Sequence, residues 1–443
     1  MASGTHLLVR CASALAAGAL ASMALAAGAG SQSAAGRSAA GERTQAGSNA
    51  GETFVLQATR IYASPDSEPI DAGVVLIRDG RIVAVGKPDE GPASPTARTL
   101  GCPAGVVVAG FQNSHVHFTE PHWYRAADKP RQELEQHLSR MLTRFGFTTV
   151  VDVASDVGDT TALRDRIARG EVDGPRILTA GLALYPHNGI PFYLRDLPPA
   201  VLAQLQQPAT SDEALASVRR NFERGADLTK LFVATPQPGG KITYMAPDVA
   251  RTAANETHKR KRLVVAHPTN NQGLRLAIDS GVDVLMHTTI EDIPAIWDAA
   301  LIQDLLAHDM ALVPTLKLWP YEMKKAKLPQ RIINLATGDA IEQMRAFAAA
   351  GGQILFGTDV GYMTEYDPTD EYAFMSHALT PMQILASLTV APAARWQESQ
   401  KRGRIAPGMD ADLVVLGADP ASDARNFADV SCTIRGGRVL YTK

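Results

Sequence analysis

Eight short apolar runs recur along this chain: Val106 to Phe111, Thr148 to Val153, Arg176 to Ala180, Leu228 to Val233, Leu263 to His267, Val282 to His287, Ala311 to Thr315 and Ile354 to Asp359. Runs this short, bounded by turn-formers, read as strands buried on both faces. Intervening stretches such as Glu133 to Thr143, Asp212 to Arg224 and Asp339 to Ala350 carry helical spacing and helix-forming residues. Eight β-then-α units predict an α/β chain built as a (β/α)8 TIM-like barrel.

The flanks have another texture. Phe54 to about Thr99 mixes apolar runs with turns: Val74-Val75-Leu76-Ile77 and Ile82-Val83-Ala84-Val85 meet across Asp79-Gly80, a two-residue hairpin signal. The end of the chain repeats the pattern in Leu413 to Leu416 and Thr433 to Tyr441. The expected organisation is a small β-sandwich from residues 53–105 and 403–443 around a barrel at 106–402. A chain of 443 residues accommodates both.

The first 27 residues read as an export signal. Arg10 supplies the positive start, Ala12 to Met23 the apolar stretch, and Ala24-Leu25-Ala26 the cleavage pattern. Residues 28–52 are rich in Ala, Gly and Ser and read as a flexible spacer. A periplasmic or extracellular location is therefore expected, and no later apolar run is long enough to span a bilayer. An oxidising compartment would permit Cys102 and Cys432 to pair, although two buried free thiols are the commoner outcome. A net charge of −3, with no basic cluster interleaved with aromatics, argues against nucleic acid and for a small-molecule substrate. A homo-oligomer stays open.

Reactive side chains collect at the ends of the apolar runs. His115-Val116-His117 follows the first; residues two apart on a strand share a side, so both imidazoles can meet one metal. Lys230 lies in the fourth run, His267 ends the fifth, His287 the sixth and Asp359 the eighth. Each alone has an ordinary explanation, as a core histidine, an N-cap or a snorkelling lysine. All six together, at the face where such barrels do chemistry, point to one site.

These residues, with Gly225-Ala226-Asp227-Leu228-Thr229-Lys230, Val313-Pro314-Thr315-Leu316, Gly357-Thr358-Asp359 and the later Gly403-Arg404-Ile405-Ala406-Pro407-Gly408-Met409-Asp410-Ala411-Asp412, resemble the amidohydrolase superfamily. The likeness is to its binuclear-metal amidohydrolases and Xaa-Pro-type dipeptidases related to imidazolonepropionase, and covers about Phe54 to Tyr441. It implies two divalent ions, with Zn the first expectation. His115, His117 and Asp359 would hold one ion and His267 and His287 the other, with Lys230 bridging as a carbamate made from CO2. A metal-bridging hydroxide would attack a C–N amide bond of a dipeptide or N-acyl amino acid, with Asp359 as general base and then acid. Asn113 stands where many members have Asp, and Thr229 where Ile is frequent.

Electrostatics supports the carbamate that the resemblance implies. An ammonium about 4 Å from a dication is repelled by roughly 8 kcal/mol at an effective dielectric near 20, so the amine is forced neutral. A neutral amine can take up CO2 and become an anion. Candidate substrate contacts are His187, Tyr193 and Arg195 after the third run and Lys317 after the seventh. A lactonase or phosphotriesterase could use the same two-metal site. A one-metal deaminase is disfavoured by Asn270 at the position of its proton-shuttling Glu, and a non-catalytic metal-binding protein by the filled ligand set.

Overall fold

The computed structural model describes residues 52–88, 97–290 and 295–443. The export signal and the spacer up to residue 51 lie outside the described residues. The fold is mixed α/β, and its parallel strands take up the apolar runs. They are β1 (Phe111–Val116), β2 (Phe147–Asp152), β3 (Arg176–Thr179), β4 (Thr229–Phe232), β5 (Val264–His267), β6 (Val284–Met286), β7 (Ala311–Val313) and β8 (Gln353–Ile354).

Strands β1 to β3 form one parallel sheet and β4 to β8 a second, each in sequence order. The two sheets are joined at both edges. On one side Leu184, after β3, donates to the Lys230 carbonyl and accepts from the Phe232 amide. On the other, the Ser114 amide donates to the Phe356 carbonyl and Val116 bridges Val360. The arrangement is TIM-barrel-like. Val151, Leu178, Leu228, Val265, Val284, Met286, Val313 and Leu355 pack together inside it. The larger core lies between the strands and helices such as Arg131–Met141, Pro247–His258 and Gln330–Ala349.

Short polar side chains start several of these helices by accepting an otherwise unpaired N–H of the first turn. Asp156 caps Val157–Ala168, Thr210 caps Ser211–Glu223, and Asn270 caps Asn271–Ser280. Asp156 and Asn270 follow the ends of β2 and β5 by four and three residues, so those two helix starts also fix the loops that leave the strands.

The terminal segments form a four-stranded and a six-stranded sheet around a shared core of Leu56, Ile61, Val75, Ile77, Val107, Leu413, Val415 and Ile434. The Asp79-Gly80 hairpin is present, with both residues at positive φ, as its two-residue turn requires. One expectation changes. The run Val106 to Phe111 is not one strand: Val106–Ala109 sits in the six-stranded sheet between Arg60–Tyr62 and Leu413–Leu416. Only from Phe111 does the chain join the parallel sheet. The break falls at Gly110, where a Cβ would lie 2.3 Å from the Thr148 hydroxyl. A second correction concerns the cysteines, which are not free thiols. Cys102 and Cys432 form a disulfide across a sequence separation of 330.

Candidate metal centre

The β1 pleat sends His115 and His117 to the C-terminal mouth of the strands, where Asp359 meets both. Asp359 Oδ1 lies 3.2 Å from His115 Nε2 and 2.9 Å from His117 Nε2. His115 and His287 rings are 4.6 Å apart and His287 and His267 rings 4.8 Å, so the four imidazoles form a continuous row. Single ligand atoms of His115, His287 and Asp359 fall within 4.8 Å of one another. Lys230 points inward, with its Nζ 5.0 Å from the centre of the Phe232 ring, and Phe232 stacks on His267.

Close backbone approach makes this convergence possible. A Cβ on Gly357 would come within 2.3 Å of a Val313 methyl and 2.9 Å of the His115 Cβ. On Gly361 it would reach 1.8 Å from the His117 carbonyl oxygen. Asp359 and His287 both sit at positive φ, 58° and 81°, which is uncommon for such residues and typical of strained functional turns.

The tautomers decide what the cluster can hold. The imidazole of His117 donates from Nδ1 to the Ala154 carbonyl at 3.2 Å, so its Nε2 presents a lone pair to Asp359. Thr315 Oγ1 donates to the Pro314 carbonyl and therefore accepts from His287 Nδ1, which again leaves Nε2 as an acceptor. His115 Nδ1 and Asp359 Oδ1 are buried without a hydrogen-bond partner. Burial pushes the imidazole pKa of His115 down to about 4 and that of His267 to about 3, and holds His287 well below its ordinary value. Buried acceptors facing one another with no donor between them are a poor arrangement for protons and a good one for divalent cations.

Lys230 follows the same logic. Burial lowers its pKa to about 7, against the pull of Asp359 toward the charged form. Burial by itself would raise the pKa of Asp359, and only positive charge or N–H donors at the positions of His115 and His117 outweigh it. With neutral imidazoles turning lone pairs inward, keeping the carboxylate ionised falls to a cation held between them. An anion and neutral amine and imidazole donors therefore surround one space.

Residues 106–440 match the amidohydrolase family. The chain belongs to that family. Over 422 residues it is 21% identical to the ochratoxinase of Aspergillus niger, covering 87% of each sequence. Its fold resembles the crystal structure of a Xaa-Pro dipeptidase with methionine bound in the active site, at TM-score 0.71 and 21% identity, over 88% of this chain and 100% of that one. Molinate hydrolase gives the same score and identity, over 88% and 95%.

The substrate candidates of this amidohydrolase part company. Tyr193 faces Tyr362 with ring centres 5.8 Å apart, and the charge of Asp359 reaches both phenols. His187 is exposed, with Nδ1 directed at the Gln207 carbonyl, and Arg195 is exposed and donates to Gln237 Oε1. Lys317 is buried, its amine donating to the Glu365 and Asp367 carbonyls. Asn270, besides capping its helix, donates to the Tyr244 hydroxyl at 2.8 Å. Glu322, buried beside Tyr362 and Lys325, carried no signal in the sequence, and Thr315 entered only as part of the Val313-Pro314-Thr315-Leu316 motif, with no role of its own.

Proposed function

We propose that this amidohydrolase cleaves a C–N amide bond in a dipeptide or N-acyl amino acid-like substrate at a pair of divalent ions, with Zn the first candidate. The single observation that carries this reading is the buried group of His115, His287 and Asp359, whose ligand atoms fall within 4.8 Å of one another with His115 Nδ1 and Asp359 Oδ1 left unpartnered, and with His117 against the same carboxylate oxygen. His115, His117 and Asp359 would hold one ion and His267 and His287 the other, with Lys230, as its carbamate, shared between them.

Divalent ions held by these residues would supply a water of near-neutral pKa and a Lewis acid for the scissile carbonyl. The protein's own part is proton management. Asp359, held ionised, accepts a proton from the attacking water and returns it to the leaving nitrogen, so the amine departs neutral. Tyr193 and Tyr362 supply aromatic surface and phenol hydroxyls beside that carboxylate, where a substrate carbonyl or side chain would lie. The deaminase alternative is weakened because both ends of the Asn270 amide are engaged in structural hydrogen bonds.

We further propose a closed (β/α)8 barrel beginning at Phe111, a β-sandwich of the two terminal segments, and export of the chain. The Cys102–Cys432 disulfide supports export, since such bonds persist in oxidising compartments. Among the described residues no helix is long and apolar enough to cross a membrane.

The test is hydrolysis of a library of dipeptides, N-acyl amino acids, lactones and phosphotriesters by metal-loaded protein, with and without chelator. Selective, chelator-sensitive release of an amine supports the reading. Cleavage confined to esters or phosphotriesters overturns the amide assignment.

A further inference from the structure

Glu371 is fully buried on the helix Thr369–Met375, which follows β8. Its two carboxylate oxygens each take one backbone N–H: Oε1 accepts from Leu316 at 2.9 Å and Oε2 from Lys317 at 2.7 Å. Those two amides belong to the turn after β7, directly behind Thr315. The turn is tied to the same segment a second time, because the Lys317 amine donates to the Glu365 and Asp367 carbonyls.

Thr315 sits at φ 46°, a conformation that β-branched residues rarely adopt. Such a residue stays there only when its surroundings over-determine it. The conformation has a purpose in the geometry: the Thr315 hydroxyl donates back to the Pro314 carbonyl and accepts from His287 Nδ1 at 2.5 Å. The direction of that hydroxyl fixes both the tautomer and the tilt of the His287 ring.

We propose that Glu371 is a positioning residue for His287, clamping the turn after β7 so that Thr315 holds the imidazole toward the centre of the site. A carboxylate suits the task because two N–H donors face two separate oxygens. The consequence for metal affinity rests on the metal-centre reading above; the clamp itself does not.

The test uses Glu371→Gln, which keeps the volume but sets an amide NH2 against one of the two backbone donors. In metal-free protein, the 15N resonances of the His287 imidazole are expected to move and its Nδ1–H to exchange faster. In chelator competition, Zn2+ affinity is expected to fall by roughly tenfold or more, as for other groups that orient a ligand histidine. The double variant with Thr315→Val should lose no more affinity than the worse single variant, since both act through one path. Unchanged His287 resonances in Glu371→Gln, with or without a lower melting temperature, overturn the proposal. Should the variant not fold, wild-type hydrogen exchange decides: Zn2+ loading is expected to protect the Leu316 and Lys317 amides, and no change there overturns the clamp. A wild type that binds no divalent ion overturns the metal reading, while the His287 resonances still decide on Glu371.

Discussion

Asn113 grips Thr358 from two sides: its Nδ2 donates to the Thr358 hydroxyl at 2.7 Å and its Oδ1 accepts the Thr358 amide at 3.2 Å. The same oxygen accepts the His115 amide at 3.2 Å. One side-chain amide thus joins the strand bearing the histidine pair to the turn bearing Asp359. Asn113→Ala takes away the partner of the buried His115 amide and Thr358 hydroxyl, each costing about 1–3 kcal/mol, while the Thr358 amide keeps the His115 carbonyl. The expected outcome is a loss of at least about 2 kcal/mol in urea unfolding, with a fall in bound metal measured on the folded fraction.

Asp359→Asn keeps an oxygen beside His115 and His117 but removes the proton acceptor. Turnover is expected to fall by roughly 10²-fold or more, with the melting temperature and most of the bound metal retained. Near-normal kcat in a metal-replete variant would take Asp359 out of the proton transfer.

Lys230, buried with its pKa lowered to about 7, is expected to carry a carbamate once metal is bound. Reconstitution with Zn2+ in 13C-labelled bicarbonate should give a carbamate carbonyl resonance in wild type and none in Lys230→Met. A wild-type spectrum without that signal would leave the lysine as a neutral amine.

The six proposed ligands were readable because a parallel α/β architecture concentrates chemistry at strand ends, and because His115 and His117 keep the period of a strand. The break at Gly110 was not readable, since Val106–Ala109 is buried throughout and shows no alternation to tell one sheet from another. Asn113 stood out only as a departure from a resemblance, and its grip on Thr358 needed the fold. Glu371 was invisible for a related reason, and Thr315 stood only as a member of the Val313-Pro314-Thr315-Leu316 motif without a role. Their roles depend on a left-handed turn and on contacts across 54 and 55 positions, which no local pattern encodes.

The Cys102–Cys432 bond closes a loop of 330 residues. A chain-entropy estimate assigns such a crosslink at most about 6 kcal/mol, acting through the unfolded state. Reduction, or replacement of both cysteines by Ala, should lower the melting temperature while leaving KM and kcat below the transition unchanged. Equal melting of oxidised and reduced protein would show that the surrounding sheet suffices.

Glu256 accepts from Arg219 at 2.9 Å and from Arg260 at 2.6 Å, and these bonds lower its pKa to about 2. The unfolded-state value is near 4.3. A depressed folded-state pKa contributes stability that is complete above the unfolded value and disappears as pH falls through the folded one. Glu256→Gln should therefore melt below wild type at pH 7, with the gap closing between about pH 4 and pH 2. A gap independent of pH would assign the effect to packing.

The strand Val106–Ala109 lies between Arg60–Tyr62 and Leu413–Leu416, so one of its two neighbours is synthesised long after it. During translation that edge stays open for some three hundred residues, with its backbone donors and acceptors available to any other extended chain. The nascent protein thus has to be shielded, or to pass slowly through an incomplete state, until Leu413–Leu416 arrives to close the seam.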